Sequence, residues 1–163
     1  MESIYRKFLD SLVEAEKAWK SADYLVNVTF PIVKDPKLLI RALESLDKEV
    51  RLAVSVILQV EYLFKRIELA KDAEENMRIF VKRCAKRYGI GEEDVKLVKE
   101  ILFLGKKHKE SGFEFGKGEK GVILDDLGNA YQLNREKMKS LLKAGYGLLE
   151  NTNGALSRQI QKV

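Results

Sequence analysis

Apolar residues recur at strictly alternating steps of four and three residues between Leu39 and Phe64. Such a heptad seam is typical of a helix that buries one continuous stripe against other helices. Between Leu52 and Phe64 apolar residues also occupy the other faces, which indicates a helix enclosed on several sides. We therefore predict a long second helix at the centre of a helical bundle. The seam consists of Leu39, Leu43, Leu46, Val50, Ala53, Ile57, Val60 and Phe64.

The glycines divide the chain into a long helical part and a more irregular part. All eleven glycines of the 163 residues lie at or after Gly89, and only Pro31 and Pro36 interrupt what comes before. Helix interiors disfavour both residue types. We predict one all-α domain over residues 1–163, a five-helix bundle with helices beginning near residues 3, 37, 72, 92 and 135. Continuity of the second and third helices stays open, because Asp72-x-x-Glu75 has capping-box spacing.

The periodicity changes in "GVILDDLGNAYQL", where two β-prone runs flank an Asp/Gly/Asn turn. This pattern predicts a small β-hairpin over about residues 121–133. Asn134 then caps the last helix. Residues 151–163 are polar and end the chain, so we expect a loosely ordered tail there.

The glycines at 116, 118 and 121 spell a dinucleotide-binding fingerprint, Gly-x-Gly-x-x-Gly. That motif works between a preceding strand and a following helix, whereas here the predicted order is reversed. A phosphate-binding loop of the Walker type is one residue too short and lacks its Ser/Thr. Asp125 and Asp126 fit a turn better than a calcium loop. We interpret residues 112–121 as a mobile glycine-rich connection and predict no cofactor and no metal.

The chain has one histidine and one cysteine, so neither a His/Cys zinc site nor a Cys/His nucleophile pair can form. His108 falls in the last turn of the fourth helix, where cations offset the negative end of the helix dipole. We assign no catalytic residue and favour a non-enzymatic protein. An enzyme that acts on a phosphorylated small molecule at residues 105–121 is the third-ranked hypothesis.

The net charge is +5, and the whole basic excess lies after residue 69. The stretch "RIFVKRCAKR" contains no acid, and it forms one phosphate-binding patch with the end of the fourth helix if the two helices pack antiparallel. An ordinary solvated helix surface is the alternative. Phe80 and Tyr88 are expected to point inwards, which leaves no stacking platform for bases. The candidate polyanion-binding residues are Arg78, Lys82, Arg83, Lys86, Arg87, Lys106, Lys107, His108 and Lys109.

Cysteine content and hydropathy bear on the cellular compartment. Cys84 is alone and cannot form an internal disulfide, and charges interrupt the N-terminal apolar residues where a signal peptide would have an unbroken run. The most apolar stretch, Leu52–Phe64, is 13 residues long, and a membrane span needs about 20. We expect a cytoplasmic protein without a membrane partner.

The paired helices of "EAEKAWKSADYLVNVTFPIVKDPKLLIRALESLDKEV", followed by a basic helix that carries His108, resemble small archaeal helical proteins without assigned function. These in turn are similar to the HEPN group of nucleotide-binding and ribonuclease bundles. The resemblance covers the layout of residues 10–150. In the HEPN nuclease signature, four to six residues separate an arginine from a histidine. Before His108 the corresponding positions hold Phe103, Leu102 and Ile101, so the arginine of the signature is missing. The resemblance therefore implies a bundle that binds RNA, nucleotides or a protein without cleaving anything.

These observations lead to two functional hypotheses. The first is a non-enzymatic binding or assembly protein that uses helix faces for self-association or for a protein partner. Remainders of the seam or of the first helix would form its contact surface. The second is an RNA-binding or polyanion-binding protein that uses the basic surface of the third and fourth helices.

Overall fold

A computed structural model describes residues 2–161 as a mainly helical chain with one small antiparallel sheet. Six α-helices lie in these residues, and because a π-helical turn joins the first two, they form five continuous helical segments. The helices are α1 (Glu2–Tyr24), α2 (Phe30–Val33), α3 (Lys37–Leu63), α4 (Ala73–Ile79), α5 (Glu92–Glu110) and α6 (Arg135–Gln161). The strands are β1 (Phe113–Lys117), β2 (Lys120–Leu124) and β3 (Ala130–Leu133).

Helix α3 is the element around which the others are arranged, as the seam predicted. It packs against α1, α5 and α6 and contacts strand β2. Every seam residue from Leu39 to Val60 is at most 2% exposed. Phe64 lies just beyond the end of the helix and is half-buried. The seam from Leu39 to Val60 is therefore buried inside the chain.

The first helix ends within "FPIVKDP", but only after it has passed through Phe30 and Pro31, because a π-helical turn, Leu25–Thr29, joins α1 directly to α2. A proline in a regular α-helix lacks one amide donor, and its ring clashes with the carbonyl four residues earlier. In the wider π-helical turn the amide of Phe30 donates a hydrogen bond to the carbonyl of Leu25, five residues earlier. The helix then continues through Pro31. It ends at Lys34, whose φ is 57°.

Helices α3 and α4, which correspond to the predicted second and third helices, are separate. The chain turns after α3 at Lys65, whose φ is also 57°. Asp72 then caps α4, since its side chain accepts a hydrogen bond from the amide of Glu74 at 3.2 Å. A second π-helical turn, Phe80–Cys84, extends α4, and the chain reverses at Gly89 with a φ of 72°.

The sheet has three strands in the order β1-β2-β3, so the predicted hairpin of two strands was incomplete. Residues 112–121 are not a mobile connection, because they include β1 and the tight turn to β2 at Gly118, whose φ is 62°. Gly116 and Gly121 pair across the two strands. A Cβ on Gly116 would lie 2.9 Å from Pro36 Cγ, and one on Gly121 would lie 3.0 Å from the Pro36 carbonyl. These two glycines allow the sheet to approach the start of α3.

The predicted loose tail is wrong for residues 151–161, which belong to α6. Thr152 and Leu156 are buried there, and Leu156 packs in a cluster with Tyr5 and Phe8 of α1. The Thr152 hydroxyl donates to the Leu148 carbonyl at 2.6 Å, which satisfies its buried polar group. Residues 162–163 lie outside the described part of the chain. No helix within residues 2–161 has both the length and the apolar character required to cross a membrane.

Candidate functional site

The nine candidate polyanion-binding residues lie in two separate groups. The first group is on α4, its π-helical extension and the turn that follows, and the second is on the last two turns of α5. The extension of α4 packs on α3, whereas α5 packs on α3 and α6. The two groups therefore differ in their surroundings.

The second group is largely paired with acids. Lys107 Nζ lies 3.6 Å from Asp125 Oδ2 at the end of β2, and Lys109 Nζ lies 3.1 Å from Asp47 Oδ2 of α3. Lys106 is exposed and has no ion pair among residues 2–161. These contacts fasten α5 to the sheet and to α3, so most of the positive charge at this end is already neutralised.

His108 is held between two carboxylates. Its Nδ1 lies 2.9 Å from Glu114 Oε1 on β1, and its Nε2 lies 3.1 Å from Glu44 Oε2 on α3. Burial lowers the pKa of His108, but the hydrogen bonds to Glu44 and Glu114 outweigh burial and raise the pKa above its usual 6.5. Both ring nitrogens are occupied, so His108 joins the sheet to the helices and is poorly placed to act as a general base.

Within the first group, Arg87 belongs to a buried network. Its guanidinium donates to the buried Glu61 carboxylate at 2.9 Å, and Arg66 and the Tyr88 hydroxyl donate to the other oxygen at 3.0 and 3.1 Å. Burial and the charge of Glu61 raise the pKa of the Cys84 thiol to about 11. That thiol is therefore protonated at neutral pH and is not a reactive nucleophile.

The rest of the first group lies on the surface. Arg78 pairs with Glu75 one turn earlier on the same helix. Lys82, Arg83 and Lys86 are exposed, and none of them has an ion pair within residues 2–161. Of the predicted set, these three and Lys106 carry the positive charge that is most available to a partner.

A groove lies beside this surface, between α4 with its extension and α5. We call it the Met77 groove, and its volume is about 390 Å³. Met77 and Val81, both half-buried, supply its apolar wall. Both side chains also pack in part against the main hydrophobic core. The lining residues are Glu74, Met77, Arg78, Val81, Lys82 and Lys99.

Met77 also lines a second cleft, of about 410 Å³, on the side of α4 that faces α3. We call it the adjoining cleft. Its apolar walls include Val54 and Leu58 of α3 and Leu69 of the loop before α4. Because Met77 borders both spaces, an apolar surface runs across this helix from one side to the other.

The charged residues that line the two spaces are mostly cations, of which Arg78 is paired with Glu75 and Arg51 with Asp47. Arg78, Lys82 and Lys99 line the Met77 groove, and Arg51 lines the adjoining cleft. Glu74 is the one acid among the residues that line either space. Lys99 was not among the predicted site residues, because it lies outside the basic stretches of the sequence and reaches the groove only through tertiary packing.

No aromatic ring lines either space among the described residues. Phe80 and Tyr88 are 0% and 6% exposed, as their predicted inward orientation requires. Bases of single-stranded nucleic acid are usually held by stacking on exposed aromatic rings. The geometry therefore suits an apolar, negatively charged ligand better than unpaired bases.

No protein-family model matches this chain, and comparison with curated proteins and with solved structures found no match. The HEPN-like resemblance therefore remains a prediction from sequence. Within residues 2–161, no group of three or more His, Cys, Asp or Glu side chains is arranged to hold a metal ion. Functional inference depends on the geometry of the surface.

Proposed function

We propose that this chain is a non-enzymatic binding protein that takes up an acidic amphipathic helix of a partner protein at the Met77 groove. The observation that carries the proposal is an apolar wall, formed by Met77 and Val81, inside a rim of cations. Helix-in-groove recognition uses this combination: apolar anchors at three- and four-residue steps enter the groove, and charges on the partner meet charges on the rim.

The apolar wall suits side chains of variable shape. Methionine is unbranched and flexible, and it is common at surfaces that accommodate different partners. The adjoining cleft offers a second apolar space on the other side of Met77. Two anchors of one partner helix can therefore be accommodated across α4.

The rim determines the charge of the partner. Lys82 and Lys99 have no ion pair within residues 2–161. The one acid that lines the groove with them is Glu74. A second copy of this chain carries a net charge of +5 and brings like charges towards the rim. Electrostatic complementarity thus favours an acidic partner over self-association at this surface.

A second candidate, RNA or polyanion binding, is supported by the exposed side chains of Lys82, Arg83 and Lys86. It requires positive charge but no apolar wall. Arg83 does not line the Met77 groove, whereas Met77 does. These two residues therefore separate the candidates experimentally.

The test is a fluorescence-anisotropy titration of the full chain with a labelled synthetic helix of about five turns, with leucines on one face and glutamates elsewhere. A peptide of the same composition with dispersed leucines is the ligand control. We expect the patterned peptide to bind at least about tenfold more tightly, a difference of about 1.4 kcal/mol. A labelled single-stranded RNA is titrated in parallel at low and near-physiological salt.

Variants then locate the binding surface. Met77→Gln keeps the length of the side chain, removes its apolar character, and should weaken peptide binding about tenfold. Lys82→Glu with Lys99→Glu should also weaken it, whereas Lys139→Glu with Lys143→Glu on exposed positions of α6 makes the same charge change away from the groove. Equal binding of both peptides contradicts the proposal. RNA binding that is lost in Lys82→Glu plus Arg83→Glu but retained in Met77→Gln supports the second candidate instead.

A further inference from the structure

A larger cleft lies on another part of the molecule, where the end of α2, the β1–β2 turn and the start of α6 meet. We call it the hairpin cleft, and its volume is about 660 Å³. It shares no lining residue with the Met77 groove. Small-molecule sites typically have volumes of roughly 300–1,000 Å³. The hairpin cleft is therefore large enough for a small ligand.

Three separate chain segments bring positive charge to this cleft. Lys34 follows α2, Lys117 and Lys120 flank the β1–β2 turn, and Arg135 begins α6. The acids in the lining are Glu119 and Glu136. Lys34 pairs with Glu119 at 3.7 Å. Lys117, Lys120 and Arg135 have no ion pair within residues 2–161, so the cleft keeps an excess of unpaired cations.

Arg135 supplies the most specific feature of the hairpin cleft. Its Nε is shielded from solvent and has no hydrogen-bond partner among the described residues. A buried donor without an acceptor is unfavourable, and Arg135 is among the residues that line the cleft. A guanidinium group presents parallel N–H donors that match two oxygens of one phosphoryl group. An oxyanion is therefore the kind of ligand that suits Arg135 best.

The β1–β2 turn leaves the cleft open. Gly118 is at its tip, and a Cβ built there would meet no atom within 4 Å. The lysines on either side, Lys117 and Lys120, are a directly opposed pair in the β1–β2 register. Two like charges held opposite each other are unfavourable unless a counter-charge lies between them. A bound anion would relieve this repulsion.

We infer that the hairpin cleft binds the phosphoryl groups of a small phosphorylated molecule. The side chains that bind these groups are Arg135, Lys117 and Lys120. The volume of the cleft suits a small molecule, and a terminal phosphate of RNA has the same chemistry. This site is independent of the Met77 groove, so either proposal can fail without the other.

Isothermal titration calorimetry of the full chain with inorganic pyrophosphate tests the inference. We expect saturable binding with one site per chain that persists at near-physiological salt. Arg135→Gln should weaken the affinity at least about tenfold, and Arg135→Lys, which keeps the charge but loses the parallel donors, should give an intermediate value. Lys139→Gln, on an exposed position of the same helix, is the matched control and should bind like the unmodified chain.

Other variants and probes keep the test decisive. If Arg135→Gln does not fold, Lys117→Gln with Lys120→Gln changes only exposed side chains and should cause the same loss. Absence of binding, or equal weakening by Lys139→Gln and Arg135→Gln, overturns the inference. A 5′-phosphorylated RNA is the last probe. If it displaces pyrophosphate and binds much more tightly than its unphosphorylated form and pyrophosphate, the small-molecule assignment is wrong.

Discussion

Glu49 of α3 lies against Gly145 of α6, where a Cβ atom built on the glycine would be 2.4 Å from Glu49 Oε1. Glu49 is fully buried, and neither carboxyl oxygen has a hydrogen-bond partner within residues 2–161. Leu46 and Trp19 enclose the same position, with atoms 3.3 and 3.4 Å from that Cβ. The missing side chain of Gly145 therefore provides the space that this buried carboxyl group occupies.

Alanine at Gly145 should destabilise the fold, whereas alanine at Gly147 should stabilise it. Both changes gain up to about 1 kcal/mol of helix propensity. At Gly147 the nearest atom to a new Cβ is 4.0 Å away, so the gain is retained. At Gly145 the enclosed carboxyl group must move, and overpacking typically costs about 1–3 kcal/mol.

Urea unfolding followed by the fluorescence of Trp19 measures both effects, since its indole contacts α6 through a 2.8 Å hydrogen bond to the Leu142 carbonyl. Gly147→Ala is the internal control for helix propensity. Equal stabilisation by the two alanines would show that Glu49 rearranges freely and that the close approach has no energetic importance.

Glu49 should also make the stability of the chain depend on pH. Burial raises the pKa of its carboxyl group well above the usual 4.5. The folded state then binds this proton more tightly than the unfolded state, so the contribution is complete below pH 4.5 and is lost as the pH rises towards the folded-state pKa. We expect the unmodified chain to lose more stability than Glu49→Gln over this range.

The measurement is the difference in unfolding free energy between the two proteins at a series of pH values from about 4 to 8. The difference cancels the contributions of the other titrating groups, including His108 and Asp125, which the substitution leaves in place. A constant difference across the series would contradict the assignment of a raised pKa to Glu49.

Much of the helical architecture is encoded locally, which explains why the sequence was sufficient to predict it. The seam of α3 needs only the spacing of its apolar residues. Gly89, the first glycine of the chain, adopts the left-handed conformation that glycine permits. Asn134 caps α6 by accepting from the Lys137 amide at 2.7 Å. Each of these signals lies within a few residues of the structure that it determines.

The missed features depend on contacts between distant segments. Strand β1 has few buried side chains. Its Gly116 is needed because Pro36, at the start of α3, lies close to the strand. Among the candidate site residues, Arg87 was recognised in the sequence as a cation. Its ion pair with Glu61 could not be predicted, because packing brings these two distant residues together. The Met77 groove likewise exists only because α4 and α5 lie beside each other, which no spacing within either helix specifies.

Leu156→Ala tests whether the end of α6 is an integral part of the core. Leu156 is 2% exposed in the cluster with Tyr5 and Phe8. Truncating a buried leucine to alanine typically costs about 2–5 kcal/mol through lost burial and the cavity that remains. Leu127→Ala is the matched control, because Leu127 is 88% exposed, and its change should stay within about 0.5 kcal/mol. Similar thermal unfolding of the two variants would return residues 151–161 to the status of a loose tail.

His108 should titrate above the usual pKa of a histidine, and Glu114 should contribute more to this rise than Glu44. The Glu114 side chain is 25% exposed and that of Glu44 is 67% exposed, so solvent and salt screen Glu44 more strongly. Since His108 is the only histidine, its ring protons give one resolved titration by NMR. Glu114→Gln should lower the pKa more than Glu44→Gln, and added salt should reduce the contribution of Glu44 preferentially.

Because the folded-state pKa is raised above 6.5, the stability that His108 contributes is complete below that pH and is lost as the pH rises through the folded-state value. A titration at or below 6.5 in the unmodified chain would mean that burial prevails over the two carboxylates and that His108 does not clamp the sheet to α3 by charge.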